Sequence, residues 1–394
     1  MFTFRKKRVY LDHAAATPPT AGPRRVFDEA SALYGNPSSR HLEGVRARKE
    51  LERARTEIAR LLDVRAGGIT FTSGATEANN LALLGYVEAL RTAGMAMHDM
   101  HVLYHPGAHA SITETIESIK NSGAHVEELS LASGDFNHSA IRAQLKKNTV
   151  LVVVEAVSGE TGMVFATREL RRTLDAYSKE HGGHIHMHVD ASQAPRAHAV
   201  SLVTLGADTL SLDAQKIGGV RGCGVLARTH QVHLNPIMYG GGQESGVRPG
   251  TENPALAASC ARALTEACNG RDSFVERAQV LREQLIPSVT AISGSVVHTG
   301  KNQVPHIVSF SLPGRDTEYL MYLLDARGFA VSTKSACEGE SETSRMVLLM
   351  TGSEEYARST LRVSFGPHTT KKELSSFIRA LTEAVRFLDQ NALK

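Results

Sequence analysis

Short apolar, β-leaning runs alternate along this chain with longer stretches in which apolar residues recur at helical spacing. The clearest runs are "GITFTS" (68–73), "TVLVVVEAV" (149–157), "HIHMHVDAS" (184–192) and "TLSLDA" (209–214). Such an alternation predicts an α/β fold, a mostly parallel sheet covered by helices. Between them, "VRARKELERARTEIARLLDV" (45–64) puts Leu51, Ala54, Ile58, Leu61 and Leu62 on one stripe and its charges elsewhere, which predicts an amphipathic surface helix. The glycine-rich tract "YGGGQESGVRPGTENP" (239–254) breaks the pattern, and a helical period follows over 255–267. A domain boundary is therefore expected there. Residues 15–254 would form the large α/β domain, and residues 1–14 and 255–394 a smaller α+β domain containing "PHIVSFSL" and "STLRVSFG". No internal repeat, low-complexity tract or long linker is visible.

Composition narrows the class of partner. The chain has 394 residues, of which 42% are hydrophobic and 22% charged, enough for a sizeable core and about two domains. Its 44 Lys and Arg against 41 Asp and Glu leave a net charge of +3, too weak a bias to predict nucleic acid or an anionic membrane. A small-molecule substrate fits better. No apolar run approaches the roughly 20 residues of a membrane span, and "MFTFRKKRVYLDH" lacks the apolar stretch of a signal peptide, so the cytoplasm is the expected location. The four cysteines, Cys223, Cys260, Cys268 and Cys337, form no CxxC pair and no zinc spacing, which argues against a disulfide framework or structural zinc. A special cysteine would act alone.

Three places could carry chemistry. The turn Ser73-Gly74-Ala75-Thr76 feeds a helical pattern, and such a turn offers free N–H groups and the positive end of a helix dipole to a phosphate. A plain Ser/Thr helix cap would read the same way. Next, His184, His186, His188 and Asp190 would share one strand face. Three histidines suggest a metal, but rigid i, i+2 ligands on a straight strand rarely converge on one ion and no second ligand segment is evident. Asp190 stands at the expected carboxyl end of a parallel strand, where open α/β sheets bind ligands, although a capping aspartate would also stand there. Lys216 follows the next strand, 216 − 190 = 26 positions later. A phosphate cradle, an acidic partner for a pyridine nitrogen and a lysine for a Schiff base are the three things pyridoxal 5'-phosphate needs from a protein.

At this point a resemblance adds to the residues. Along nearly its whole length the chain resembles the cysteine desulfurases, within the class V aminotransferase group of fold-type I pyridoxal-phosphate enzymes. The matching segments are "YLDHAAATP" (10–18), "YGNPSS" (34–39), "FTSGATEANNLA" (71–82), "HVDASQ" (188–193), "GGGQESGVRPGTEN" (240–253), "KSAC" (334–337) and "LRVSFG" (361–366). The resemblance implies that Lys216 carries the cofactor as a Schiff base. Gly74, Ala75 and Thr76 would hold its phosphate with help from Ser211. Thr251 would reach the phosphate bound by a second copy of the chain, which implies a homodimer. Asp190 would pair with the pyridine nitrogen, Gln193 with the phenolic oxygen, and His109 would stack on the ring and move protons. Arg362 would grip the substrate α-carboxylate, for which a guanidinium fork is well shaped, and Asn36 would lie near the substrate pocket. Cys337, in the small and polar stretch "KSACEGESETS", would attack the sulfur of the substrate cysteine and carry it as a persulfide. Cys223, Cys260 and Cys268 read as packing residues.

Three departures from the family pattern stand out. Gln215 replaces a histidine that contacts the phosphate, and can still donate a hydrogen bond. Gly159, in "VSGETG", replaces an asparagine that helps to hold the substrate. Lys334 replaces a glycine before "SAC", and a nearby cation lowers a thiol pKa. The expected function is conversion of L-cysteine to L-alanine, with the persulfide sulfur passed to an acceptor such as an iron–sulfur scaffold or a tRNA-thiolation enzyme. A selenocysteine lyase or other class V enzyme, and a non-catalytic dimeric scaffold, are the alternatives.

Overall fold

The computed structural model describes residues 8–333 and 343–391. Lys334 and Cys337 lie outside the described residues. A seven-stranded sheet runs in the order Ile69–Thr72, Gly224–Arg228, Thr209–Asp213, His186–Asp190, Thr149–Glu155, His101–Tyr104, His125–Glu128. All neighbouring strands are parallel except Gly224–Arg228, which runs against both of its neighbours. Every residue of Thr149–Glu155, His186–Asp190 and Thr209–Asp213 is buried, as expected of strands covered on both faces. The four sequence runs are thus strands, trimmed by a residue or two at their ends. His184 falls before its strand, 59% exposed and bonded to Asp208.

Helix Leu42–Leu61 buries Leu51, Ala54 and Ile58 in the same core as the sheet. It packs on helix Pro254–Asn269, whose Ala257, Cys260, Ala263 and Leu264 also belong to that core. This helix therefore shares the first core although it follows the expected boundary at 254: its small side chains let it lie close against helix Leu42–Leu61. A second core, built around Leu285, Phe310, Leu320, Leu361, Val363 and Phe377, includes the antiparallel sheet Val296–Val297, Ile307–Ser311, Thr360–Ser364. Near the N-terminus, Val9–Tyr10 pairs with Phe329–Ala330, Leu11 lies in the second core and Ala14 in the first. The chain crosses between the two cores at Asp12 and His13.

Candidate active site

Parallel pairing brings Glu155, Asp190 and Ser211 side by side at the carboxyl edge of the sheet. Helix Ala75–Thr92 starts at that edge, immediately after Ile69–Thr72 and the turn Ser73-Gly74. The neighbouring strand passes so close that a Cβ on Gly224 would stand 2.3 Å from the carbonyl carbon of Gly74, so only glycine fits there. At the helix start the Ala75 N–H points to Asp213 Oδ2 at 3.4 Å. Asp213 also accepts from the Gln215 N–H at 3.0 Å and from Gln215 Nε2 at 3.3 Å. The expected phosphate cradle thus already faces an anion, the chain's own carboxylate. Ser211, expected to assist there, is fully buried, and its hydroxyl donates to Asn79 Oδ1. Residues 211 and 213 share a strand face, but 213 lies two positions nearer the strand end, and it is the one that reaches the helix start.

Asp190 ends its strand with 8% exposure and is held by two donors: Asn79 Nδ2 to Oδ2 at 2.8 Å and the Ser192 N–H to Oδ1 at 2.9 Å. The same Asn79 amide donates to Ser111 Oγ at 2.8 Å, and Ser111 Oγ lies 2.9 Å from His109 Nδ1. His109 caps helix Ala110–Asn121 and, with Thr76 and Asn80, lines a cavity of about 410 Å³. His186 and His188 bond Thr209 and Asn79 with their ring nitrogens. Burial lowers His186 to about 3 and His188 to about 4, so both stay neutral.

Lys216 stands in the turn Ala214–Ile217 after its strand, and Nζ donates to the carbonyls of Ala14 at 3.0 Å and Ala15 at 2.8 Å. Gln193 Nε2 donates to the same Ala14 carbonyl at 2.8 Å. Beside it lies Gly159, where a Cβ would stand 3.2 Å from Gln193 Nε2. The Gly159 carbonyl accepts from Arg362 Nη1 at 2.8 Å, and Arg362 Nη2 donates to Asp12 Oδ1 at 2.9 Å. Lys216, Gln193, Gly159 and Arg362 therefore form one connected surface around the Asp12–Ala15 crossing. Next to Gly159, Glu160 is buried and accepts from Ser344 Oγ and, at 3.3 Å, from the Met346 N–H. Its carboxyl is raised by burial.

Two expected residues stand apart from this surface by their contacts. Asn36 is exposed and closes a turn by accepting from the Ser38 N–H at 2.9 Å. Thr251 is exposed beyond the glycine tract. Cys223 and Cys260 are buried in the first core, and the Cys223 thiol is pushed up by its hydrogen bond with Cys260 and by burial. Asp12, Asn79, Ser111, Asp213 and Glu160 were not singled out from the sequence, although Asp12 and Asn79 lie inside segments that carry the resemblance. The donor set suits pyridoxal phosphate: helix-start N–H groups with an anion already against them, a buried carboxylate for the ring nitrogen, and a lysine amine held by two carbonyls.

The family model described as aminotransferase class-V matches residues 9–377. Cysteine desulfurase IscS of Dictyoglomus turgidum is 30% identical over 391 residues, covering 97% of this chain and 96% of its own. The IscS-like cysteine desulfurase of Mycobacterium tuberculosis is 31% identical over 384 residues, covering 95% of this chain and 96% of its own. Among solved structures, a NifS-like protein superposes with a TM-score of 0.88 at 28% identity, covering 97% of this chain and all of its own (100%). SspA in complex with cysteine gives a TM-score of 0.76 at 26% identity, covering 92% of this chain and 99% of its own.

Proposed function

This chain belongs to the class-V aminotransferase family, among its cysteine desulfurases, and from that premise we propose that it converts L-cysteine to L-alanine and passes the sulfur on through Cys337. The observation that carries the reading is the convergence of Lys216 and Gln193 on the Ala14 carbonyl, one step from the Arg362 guanidinium through Gly159. In this reading Lys216 holds pyridoxal 5'-phosphate, with Ala75, Thr76 and Gln215 at the phosphate, Asp190 at the ring nitrogen and Gln193 at the phenolic oxygen. When bound there, the cofactor supplies an electron sink for a carbanion at the substrate Cα. Arg362 binds the α-carboxylate. The Lys216 amine takes and returns the Cα proton, and His109 manages the proton of the leaving sulfur. The Cys337 thiolate attacks the substrate sulfur: the new S–S bond forms as Cβ–S breaks, the substrate carbon keeps the electron pair, and protonation there gives alanine.

A homodimer is part of the proposal. In it Thr251, exposed beyond the glycine tract, serves the phosphate of a second copy, and Tyr34 and Tyr239, exposed by 84% and 88%, are the kind of aromatic surface a second copy covers. A sulfur-acceptor protein completes the cycle. Among the described residues no helix is long and apolar enough to cross a membrane. The site without a side chain at Gly159 favours one second reading, a class V enzyme acting on selenocysteine or cysteine sulfinate.

The test is release of alanine and sulfide from L-cysteine with a thiol reductant, comparing the cofactor-loaded protein with Cys337→Ala. Activity lost in the variant, with the cofactor absorption band kept in both, supports the desulfurase. A loaded protein that leaves cysteine untouched but turns over selenocysteine or cysteine sulfinate would move the assignment to the second reading.

A further inference from the structure

Beneath helix Ala75–Thr92 lies a row of polar side chains that the reaction, as outlined, does not use: His186, Thr209, His188, Asn79 and Ser111. Asn79 and His188 are 0% exposed and Ser111 8%. From Asp190 to His109 the protons of these bonds are assigned by chemistry. A carboxylate only accepts, so the nitrogen of the Asn79 amide faces Asp190 Oδ2, at 2.8 Å. Its oxygen must then face the other way, where it accepts from Ser211 and from His188 Nε2 at 3.0 Å. The second amide hydrogen goes to Ser111 Oγ at 2.8 Å. That occupies one of the serine's two lone pairs and leaves its own proton for His109 Nδ1, 2.9 Å away. The Ser111 backbone N–H donates to the same ring nitrogen at 3.1 Å. His109 Nδ1 therefore receives two donors and must present its lone pair.

We propose that Asn79 and Ser111 are positioning residues that fix the proton of the neutral His109 ring on Nε2, so that a single amide orients both the ring histidine and the buried carboxylate of the site. The orientation starts at Asp190 and reaches His109 through two side chains. His109 then meets its ligand with an N–H rather than a lone pair at Nε2, and its first act toward a bound group is to donate. The tautomer itself is a property of the empty protein. Only the use made of it rests on the desulfurase reading.

The test is nitrogen NMR of the cofactor-free protein labelled with ¹⁵N-histidine, with the His109 signals assigned by their loss in His109→Gln. At neutral pH the wild-type ring is expected to carry its proton on Nε2. Ser111→Ala removes one of the two donors, and Asn79→Asp offers an acceptor to the serine hydroxyl and draws its proton away from the ring. Each should lower the ratio of Nε2–H to Nδ1–H forms roughly three- to tenfold, the worth of one neutral hydrogen bond. Ser111→Thr, which keeps the hydroxyl, should restore the ratio. If the second buried carboxylate of Asn79→Asp prevents folding, the Ser111 pair carries the test alone. A wild-type ring protonated on Nδ1, or a ratio unmoved by Ser111→Ala, would overturn the proposal. Failure of the desulfurase reading shows separately, as no alanine from cysteine by a protein whose His109 still carries its proton on Nε2.

Discussion

Arg362 reaches out of the antiparallel sheet of the second core and donates from Nη2 to Asp12 Oδ1 at 2.9 Å, at the point where the chain crosses between the two cores. Its side chain is 4% exposed, and Nε is buried without a hydrogen-bond partner among the described residues. Asp12 is thus the counter-charge that makes a buried guanidinium tolerable before any substrate carboxylate arrives. Removing one partner of such a pair costs about 3–5 kcal/mol because the other is left uncompensated. Asp12→Asn, which keeps the shape but not the charge, is expected to lower the melting temperature of the cofactor-loaded protein by several degrees. Saturating L-alanine, a ligand with the carboxylate but no sulfur, should recover more stability in the variant than in wild type. Equal responses would mean that Arg362 does not depend on Asp12.

Asp213 predicts a competition. Its carboxylate accepts the N–H groups of Ala75 and Gln215 that a phosphate would need, and two anions a few ångströms apart at a partly buried site repel by several kcal/mol. Asp213→Ser and Asp213→Asn are expected to bind pyridoxal phosphate at least about tenfold more tightly, an advantage of about 1.4 kcal/mol. The measurement is titration of the cofactor-free protein, followed by absorbance. Weaker binding in both variants would mean that Asp213 organises the cradle and does not compete for it.

These two residues also show where sequence reading stops. The strands, and the place of Lys216 just past the end of one, were legible because apolar runs buried on both faces and the positions just past strand ends are local features. Choosing between Ser211 and Asp213 was not, since both share a strand face and only the point where the strand ends decides which reaches the helix. Asn79 and Asn80 are adjacent and chemically identical. Helix phase separates them: Asn79 faces the sheet with Ala75, Ala78 and Ala82, while half-buried Asn80 bonds back to the Thr76 carbonyl. That phase was available, and the buried alanines were its signal. The end of the large unit was hidden for another reason. Helix Pro254–Asn269 follows a glycine tract, so it reads as the start of something new, and only its packing on helix Leu42–Leu61 assigns it to the first core.

Gly159 leaves room that Gln193 uses. A Cβ there would stand 3.2 Å from Gln193 Nε2, tighter than ordinary contact, and would push the amide off the Ala14 carbonyl that it shares with Lys216. Overpacking of this kind costs about 1–3 kcal/mol. Gly159→Ala is therefore expected to weaken cofactor binding at least about fivefold and to shift the absorption band of the bound cofactor. If the band and the affinity both stay in place, Gln193 is not coupled to Gly159, and the missing side chain has to be explained by the substrate.

His105 makes the fold sensitive to acid. It is 0% exposed, neither ring nitrogen has a hydrogen-bond partner among the described residues, and its ring lies among aromatics, 4.5 Å from Phe165 and 5.8 Å from Phe136 between centroids. Burial alone lowers it to about 3. Below the ordinary histidine range the unfolded chain takes up a proton at this position that the folded protein refuses, so stability falls as the pH drops from about 6.5 toward 3. At about pH 5 the loss from this one residue is roughly 2 kcal/mol. The site offers the imidazole nothing that an apolar side chain would not also receive, so His105→Leu should be nearly neutral at neutral pH, within about 1 kcal/mol. In acid it should be the more stable protein. Denaturant unfolding of both proteins across this range checks it: parallel stability curves would mean that His105 is not the residue whose protonation opens the core, and attention would pass to His186 and His306, which burial also lowers to about 3.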